Sequence, residues 1–314
     1  MDMELIRGIY NLRARHYSCI LTIGNFDGVH RGHQGLLAQL KYEGNRLGLP
    51  VMVMIFEPQT LEVLGIDKAP ARLTQLRDKC QHLAHAGVDY LLCIRFNLDF
   101  AATLPHHFLE KLLVEQLGVK YLMVGDDFRF GAERQGNYDL LKKSGDKLGF
   151  TVITSSSFRE GNKRISSTAI RHALREDNFS LAESMLGRPY SISGRVVHGD
   201  KIGRTIGFPT ANMRLRWLVA PVQGVYVVDV YGIAPEPLPG VANIGIRPTF
   251  SGISQQLEVH LLDKMMDLYG YHLDVVLRAK LRNEQRFVSL KALKQQIAND
   301  VLTTRKFFGL ASSV

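Results

Sequence analysis

Two histidines three residues apart, His30 and His33, stand in GNFDGVHRGH (24–33), directly after the apolar run CILTIG. An imidazole pair where a strand turns into a helix suits phosphate. The helix N-terminus offers unpaired N–H groups and the positive end of a dipole, and each ring adds a donor. Gly28 and Gly32 let the backbone approach a ligand closely. A second cluster, VGDDFRFG (124–131), also follows an apolar strand; Asp126 and Asp127 either hydrogen-bond a ribose or base or cap a loop. A third, RISSTAIRHAL (164–174), runs into helical spacing at Ile170 and Leu174. Ser166 or Ser167 serves there as an N-cap, or the hydroxyls form a second anion site between Arg164 and Arg171.

The second half carries a different set. In FPTAN (208–212) Pro209 stiffens a turn that presents the Thr210 hydroxyl and the Asn212 amide together, two oxygen donors suited to Mg²⁺ or phosphate. The preceding GDKIGRTIG is rich in Gly but lacks the order of a Walker A loop. Along LEVHLLD (257–263), period two puts Glu258 and His260 on one strand face and Leu257, Val259 and Leu261 on the other. A carboxylate facing a pocket from a strand can take a proton from a substrate hydroxyl. One facing water cannot. His82 and His85, three apart on a helix without a third ligand, make no metal site, and His106 and His107 read as solvated. Met52 and Met54 alternate as strand packing.

The elements that position these groups follow from hydrophobic period. SCILTIG (18–24), PVMVMIF (50–56), VDYLLCIRF (88–96), VKYLMVG (119–125) and FTVITSS (150–156) read as buried strands. Helical stretches lie between them: GHQGLLAQLKYEGNRLG, RLTQLRDKCQHLAHAG and PHHFLEKLLVEQLG. That alternation predicts a parallel sheet covered on both faces. After about residue 185 come short alternating segments broken by Gly, Pro and Asp: SGRVVHG, GVYVVDVYG, GVANIGI, QQLEVHLLD and YHLDVVLRAKL. They predict a small antiparallel barrel or sandwich, closed by one helix that starts at Ser289.

Bulk properties narrow the class. A chain of 314 residues favours about two domains. No apolar run nears the roughly 20 residues that cross a bilayer, and Asp2 and Glu4 spoil a secretory start, so no membrane partner and a cytoplasmic location are expected. Cys19, Cys80 and Cys93 show no CxxC spacing and read as reduced thiols. The net charge of +9 fits a polyanion partner or a protein that handles nucleotides. Because Lys and Arg are scattered, nucleic acid is not expected. A homo-oligomer is left open.

The motifs together resemble known families. GNFDGVHRGH with ISSTAIR is similar to the HxGH and ISSTxxR signatures of the nucleotidylyltransferase superfamily, whose sheet is Rossmann-like. FEPQTLE, APARLTQLRDK and VGDDFRFG are similar to its flavin-adenylating branch, the N-terminal module of bacterial FAD synthetases. This resemblance spans residues 1–185. It implies that His30, His33, Arg164 and Ser167 hold the triphosphate and the leaving pyrophosphate, and that Gly24, Phe26, Asp27, Asp127, Thr168 and Arg171 complete the ATP and FMN pocket. GRTIGFPTAN, GVYVV, GVANIGIRPTF, LEVHLLD, DLYG and the last helix follow the order found in riboflavin kinases, over residues 186–314. That resemblance implies a six-stranded flavokinase barrel with Thr210 and Asn212 on Mg²⁺ and phosphate. Glu258 would be the general base for the ribityl 5′-hydroxyl. Lys201 and Gly203 would cover the nucleotide, and Arg282 would border the flavin. Ile246, the KMM run at 264–266 and Thr60 depart from the common patterns at positions that touch no proposed catalytic group. The implied substrates and products are ATP, riboflavin, FMN and FAD. Two rival readings are a nucleotidylyltransferase for another substrate, such as a cytidylyltransferase, and a flavin-binding regulator without turnover.

Overall fold

The computed structural model describes residues 3–155, 159–160, 163–199, 202–215, 219–249, 252–264 and 266–311. The chain divides into two compact units: Met1–Pro70 with Thr74–Ser167, and Ala71–Leu73 with Thr168–Val314.

In the first unit, six strands form one parallel sheet: β1 (Glu4–Arg7), β2 (Ile20–Ile23), β3 (Val51–Glu57), β4 (Tyr90–Arg95), β5 (Tyr121–Gly125) and β6 (Thr151–Ser155). Their order is β1-β4-β3-β2-β5-β6. Both faces are buried, so the strands read as continuous apolar runs. Leu21, Ile23, Met52, Met54, Leu92 and Leu122 pack into one core, and Ile20, Val51, Val53, Leu91 and Met123 into another. Helix α1 (Arg31–Leu47) buries Leu37 and Leu40 and ends at Gly48 in the left-handed region, with φ 65°. Two further helices, α2 (Leu76–His85) and α3 (Tyr138–Leu148), also cover the sheet. The PHHFLEKLLVEQ stretch is helical, but from Phe108 to Gln116 it is a π-helix rather than an α-helix.

Strand order decides where a ligand can sit. The chain leaves β2 toward β3 on one side, while β5 pairs with β2 on the other. The crevice beyond the carboxyl ends of β2 and β5 is therefore the topological switch point, the usual ligand position in open parallel sheets. GNFDGVHRGH leaves β2 and GDDFRFG leaves β5. A short antiparallel pair, β7 (Arg159–Glu160) and β8 (Lys163–Arg164), precedes α4 (Ser167–Arg175).

The second unit holds α5 (Phe179–Leu186) and a closed antiparallel barrel of six strands: β9 (Ser191–Val197), β10 (Ala211–Leu215), β11 (Gly224–Tyr231), β12 (Leu238–Thr249), β13 (Gly252–Leu261) and β14 (His272–Arg282). The order around it is β10-β13-β12-β11-β14-β9. Met213, Tyr226, Val228, Ala242, Ile244 and Leu257 are fully buried. Closure leaves no free sheet edge. Helix α6 (Leu290–Phe307) follows, with the Ser289 hydroxyl accepting from the Ala292 N–H at 3.2 Å, as the Ser signal predicts. Among the described residues, no helix is long and apolar enough to cross a membrane.

Candidate active sites

In the parallel-sheet unit, the β2–α1 turn is built under strain. Phe26, Gly28 and Val29 all take positive φ, at 46°, 84° and 39°. For a β-branched valine this costs on the order of 1–3 kcal/mol and persists only where the surroundings hold it. What holds it is Asp27. Its carboxylate is buried and accepts from the Thr74 N–H and hydroxyl at 3.1 and 3.2 Å, while the Gly28 N–H donates to that hydroxyl at 3.0 Å. The Ser167 hydroxyl donates to the Asp27 carbonyl at 2.8 Å. Both motif residues thus fasten the turn, and Ser167 itself begins α4.

The fastened turn aims the histidines. His30 is the N-cap of α1, its Nδ1 accepting from the His33 N–H at 3.3 Å. An imidazole whose Nδ1 accepts carries its proton on Nε2, which leaves that edge as a donor. The two rings stack with centroids 3.7 Å apart, and Phe26 lies 4.8 Å from His33. A Cβ on Gly32 would sit 3.1 Å from the His30 ring and 3.4 Å from the Ile165 carbonyl, so glycine permits this approach of the ISST segment to the helix start. Burial above all, with the Lys79 charge adding to it, holds His33 well below the usual histidine range. His33 is therefore neutral at pH 7. Its Nδ1 and the Nε2 of Gln59 are buried with no hydrogen-bond partner among the described residues.

Gly24 directly follows β2 and donates its N–H to the Met54 carbonyl at 3.1 Å. Asp127 is exposed just past β5. The backbone of Arg164 lies in β8, but its side chain lies outside the described residues, and so does Lys201. Thr168 is exposed on α4, and the buried Arg171 donates from Nε to the Ala71 carbonyl. Gln59 lies in FEPQTLE and Thr74 and Lys79 in APARLTQLRDK, stretches that carry the family resemblance without singling out these side chains.

The barrel unit contains two neighbouring cavities. One, of about 450 Å³, is lined by Gly203, Thr210, Asn212, Glu258 and Arg282 together with Asn243, Gln256, His260 and, from α6, Leu293, Ile297 and Asp300. The other, of about 470 Å³, is lined by Arg204, Lys264, Leu268 and Tyr269 and shares Thr210 and Asn212 with the first. Both are of small-molecule size, in the range of about 300–1,000 Å³. Period two does sort β13 as predicted: Leu257, Val259 and Leu261 are buried, while Glu258 and His260 line the cavity. Glu258 lies in register with Asn212 on β10 and with Asn243 on β12, giving a polar row across three strands.

Asn212 is thus a strand residue, one position inside β10, with Thr210 just before it. Its Nδ2 donates to the Thr210 carbonyl at 3.2 Å, and its Oδ1 accepts from Gln256 Nε2 at 2.6 Å. A Cβ on Gly199 would lie 2.6 Å from the Asn212 amide, so only glycine leaves room for it. Thr210, Asn212 and Glu258 offer a hydroxyl, an amide and a carboxylate oxygen, a hard donor set that fits Mg²⁺. Arg282 forks onto Asp300 of α6, with contacts of 2.8–3.1 Å, so its charge is spent on holding the helix over the cavity. Gln256 went unnoticed in the sequence although its spacing of two from Glu258 was visible.

The FAD synthetase family profile matches residues 12–169, and the riboflavin kinase profile matches residues 186–308. A bifunctional riboflavin kinase/FMN adenylyltransferase from Escherichia coli is 63% identical over 309 residues, which is 98% of this chain and 99% of that protein. Its namesake from Haemophilus influenzae is 49% identical over 306 residues, with 98% and 99% covered. Among solved structures, one described as a macrolide-efflux protein from Streptococcus pneumoniae matches with a TM-score of 0.75 at 29% identity, covering 97% of this chain and 99% of that one.

Proposed function

The chain belongs to the bifunctional riboflavin kinase/FMN adenylyltransferase family, and from that premise we propose how its residues divide the work. The enzyme phosphorylates riboflavin to FMN with ATP and adenylates FMN with a second ATP to give FAD. We assign the first reaction to residues 186–314 and the second to residues 1–185.

In the kinase, riboflavin occupies the cavity beneath α6 and ATP the neighbouring one. The observation that carries this reading is that Thr210 and Asn212 line both cavities while Glu258 faces only the first. Glu258 accepts the proton of the ribityl 5′-hydroxyl as its oxygen attacks the γ-phosphorus, and ADP leaves with the electrons of the broken P–O bond. Arg204 and Lys264 bring positive charge to the nucleotide side. The resemblance assigns Lys201 and Gly203 to the nucleotide, Gly203 lines the cavity given to riboflavin, and Arg282 borders the flavin through α6. Thr210 and Asn212 would hold Mg²⁺, whose charge would offset that of the phosphates.

In the adenylyltransferase, an FMN phosphate oxygen attacks the α-phosphorus of ATP and pyrophosphate departs. This step needs positioning and charge neutralisation more than a protein nucleophile. The first turn of α1, with His30 and His33, receives the triphosphate, and Asp127 holds nucleotide or flavin. Gly24, Phe26 and Asp27 shape the turn beneath. Arg164, Ser167, Thr168 and Arg171 are assigned by the ISSTAIR pattern. ATP dependence and the free Cys19, Cys80 and Cys93 favour the cytoplasm.

Paired variants test the division. Glu258→Ala should abolish FMN formation while FAD still forms from supplied FMN, and His30→Ala or His33→Ala should do the reverse. Full kinase turnover in Glu258→Ala, or unchanged adenylation in both histidine variants, would remove those residues from their roles.

A further inference from the structure

Gln256 occupies the cavity face of β13 two residues before Glu258. Its Nε2 donates to Asn212 Oδ1 at 2.6 Å and to Glu258 Oε1 at 3.2 Å. An amide nitrogen carries two hydrogens, so it serves both acceptors without competition. The contact to Asn212 runs diagonally between paired strands, within reach of a long side chain.

This arrangement fixes more than packing. The Asn212 amide has its nitrogen on the Thr210 carbonyl and its oxygen on Gln256. Turned over, it would set donor against donor at Gln256 and acceptor against acceptor at Thr210. An amide oxygen has two lone pairs. With one taken by Gln256, the other stays on a defined side for a cation or a phosphate-bound group. The Glu258 carboxylate is tethered by the same nitrogen.

We infer that Gln256 is a positioning residue for phosphoryl transfer, one amide that sets the orientation of the Asn212 oxygen donor and the Glu258 base together. It lines the cavity assigned to riboflavin, and its effect on the reaction runs through those two side chains. The inference rests on the assignment of Glu258 and Asn212 to the kinase reaction.

Two substitutions separate this role from space filling. Gln256→Met keeps the length and removes both donors. Gln256→Glu keeps the shape and faces two oxygens with oxygens. Riboflavin affinity is read from quenching of flavin fluorescence without ATP, ADP affinity from calorimetry with and without Mg²⁺, and turnover from FMN formation. Partners that orient a ligating group commonly account for about 10–100-fold. Both variants should bind riboflavin within about twofold of the parent, lose about tenfold or more in kcat for FMN formation, and lose most of the gain in ADP affinity that Mg²⁺ confers. Parental kcat in Gln256→Met would overturn the inference. So would a fall in kcat matched by an equal loss of riboflavin binding, which marks a packing residue. Glu258→Gln measured alongside tells the two levels apart: parental turnover there refutes the base assignment itself, whatever Gln256 does.

Discussion

Asn212 shows how narrowly a side chain is set. Its amide is enclosed by Gly199 on one side and by Thr210 and Gln256 on the others. Gly199→Ala places a methyl group 2.6 Å from it, well inside contact distance. FMN formation should then fall by about tenfold or more, equivalent to about 1.4 kcal/mol of transition-state binding, while FAD synthesis from FMN stays unchanged. Steady-state assays of the two steps check it. His33 gives a pH signature. Its pKa is depressed in the folded state from the ordinary 6.5. Between the two values the unfolded chain binds more protons, so this group's contribution is present above about pH 6.5 and is lost on acidification. Melting temperatures between pH 7.5 and pH 5 should fall more steeply in the parent than in His33→Gln. Equal slopes would contradict the shift. The residue types at both sites were legible because few patterns other than GVHRGH and FPTAN place such donors at a strand end. The partners were not. Asp27 reads as a ligand group, yet its carboxylate turns inward to Thr74, 47 residues on, a contact that only the fold creates.

At the scale of elements, α6 is held to the barrel by two ion pairs, Arg282 with Asp300 and Arg305 with Asp263 at 2.7 Å. Arg282 and Asp300 are both largely buried, with side-chain exposures of 19% and 6%, and Gln296 adds a contact to Asp300 at 2.9 Å. Removing one partner of such a pair costs about 3 kcal/mol, because the other charge stays behind. Asp300→Ala should therefore lower the denaturation midpoint of the barrel unit and raise the KM for riboflavin, since the helix roofs its cavity. A variant with an unchanged midpoint would show that packing and the Arg305–Asp263 pair seat α6 without it. Strong periodicity made the long elements readable: five sheet strands, α1, five barrel strands and α6. Four strands escaped: β1, β10 and the two-residue strands β7 and β8. β1 has four residues, with Glu4 and Arg7 at its ends, and gains its place only by pairing with β4. β10 was hidden because turn chemistry at Phe208 and Pro209 runs straight into it. The π-helical stretch carries an ordinary helical pattern in sequence, and its wider hydrogen bonds left no trace there.

Across the whole molecule, the two family profiles leave residues 170–185 between them. That stretch is not idle. Asp177 pairs with Lys280 at 2.9 Å, and Phe179 of α5 packs edge-on against Tyr226 at 5.8 Å. A fragment of residues 176–314 should thus melt higher than one of residues 186–314, by about 3–4 °C if these contacts are worth about 1 kcal/mol. Coincident melting curves would show that the barrel stands without them. The change of period near residue 185 predicts two units, and the two compact units of the structure part between Ser167 and Thr168; the packing partners of this stretch were not legible, since an Asp–Asn turn before a helix looks like any linker. The account as a whole turns on two reactions in one chain. Its most direct test is chromatographic analysis of flavins after incubating the purified protein with Mg²⁺ and ATP, started separately from riboflavin and from FMN. The account predicts FMN and then FAD from riboflavin, and FAD from FMN. Conversion in only one tube, or in neither, would contradict it.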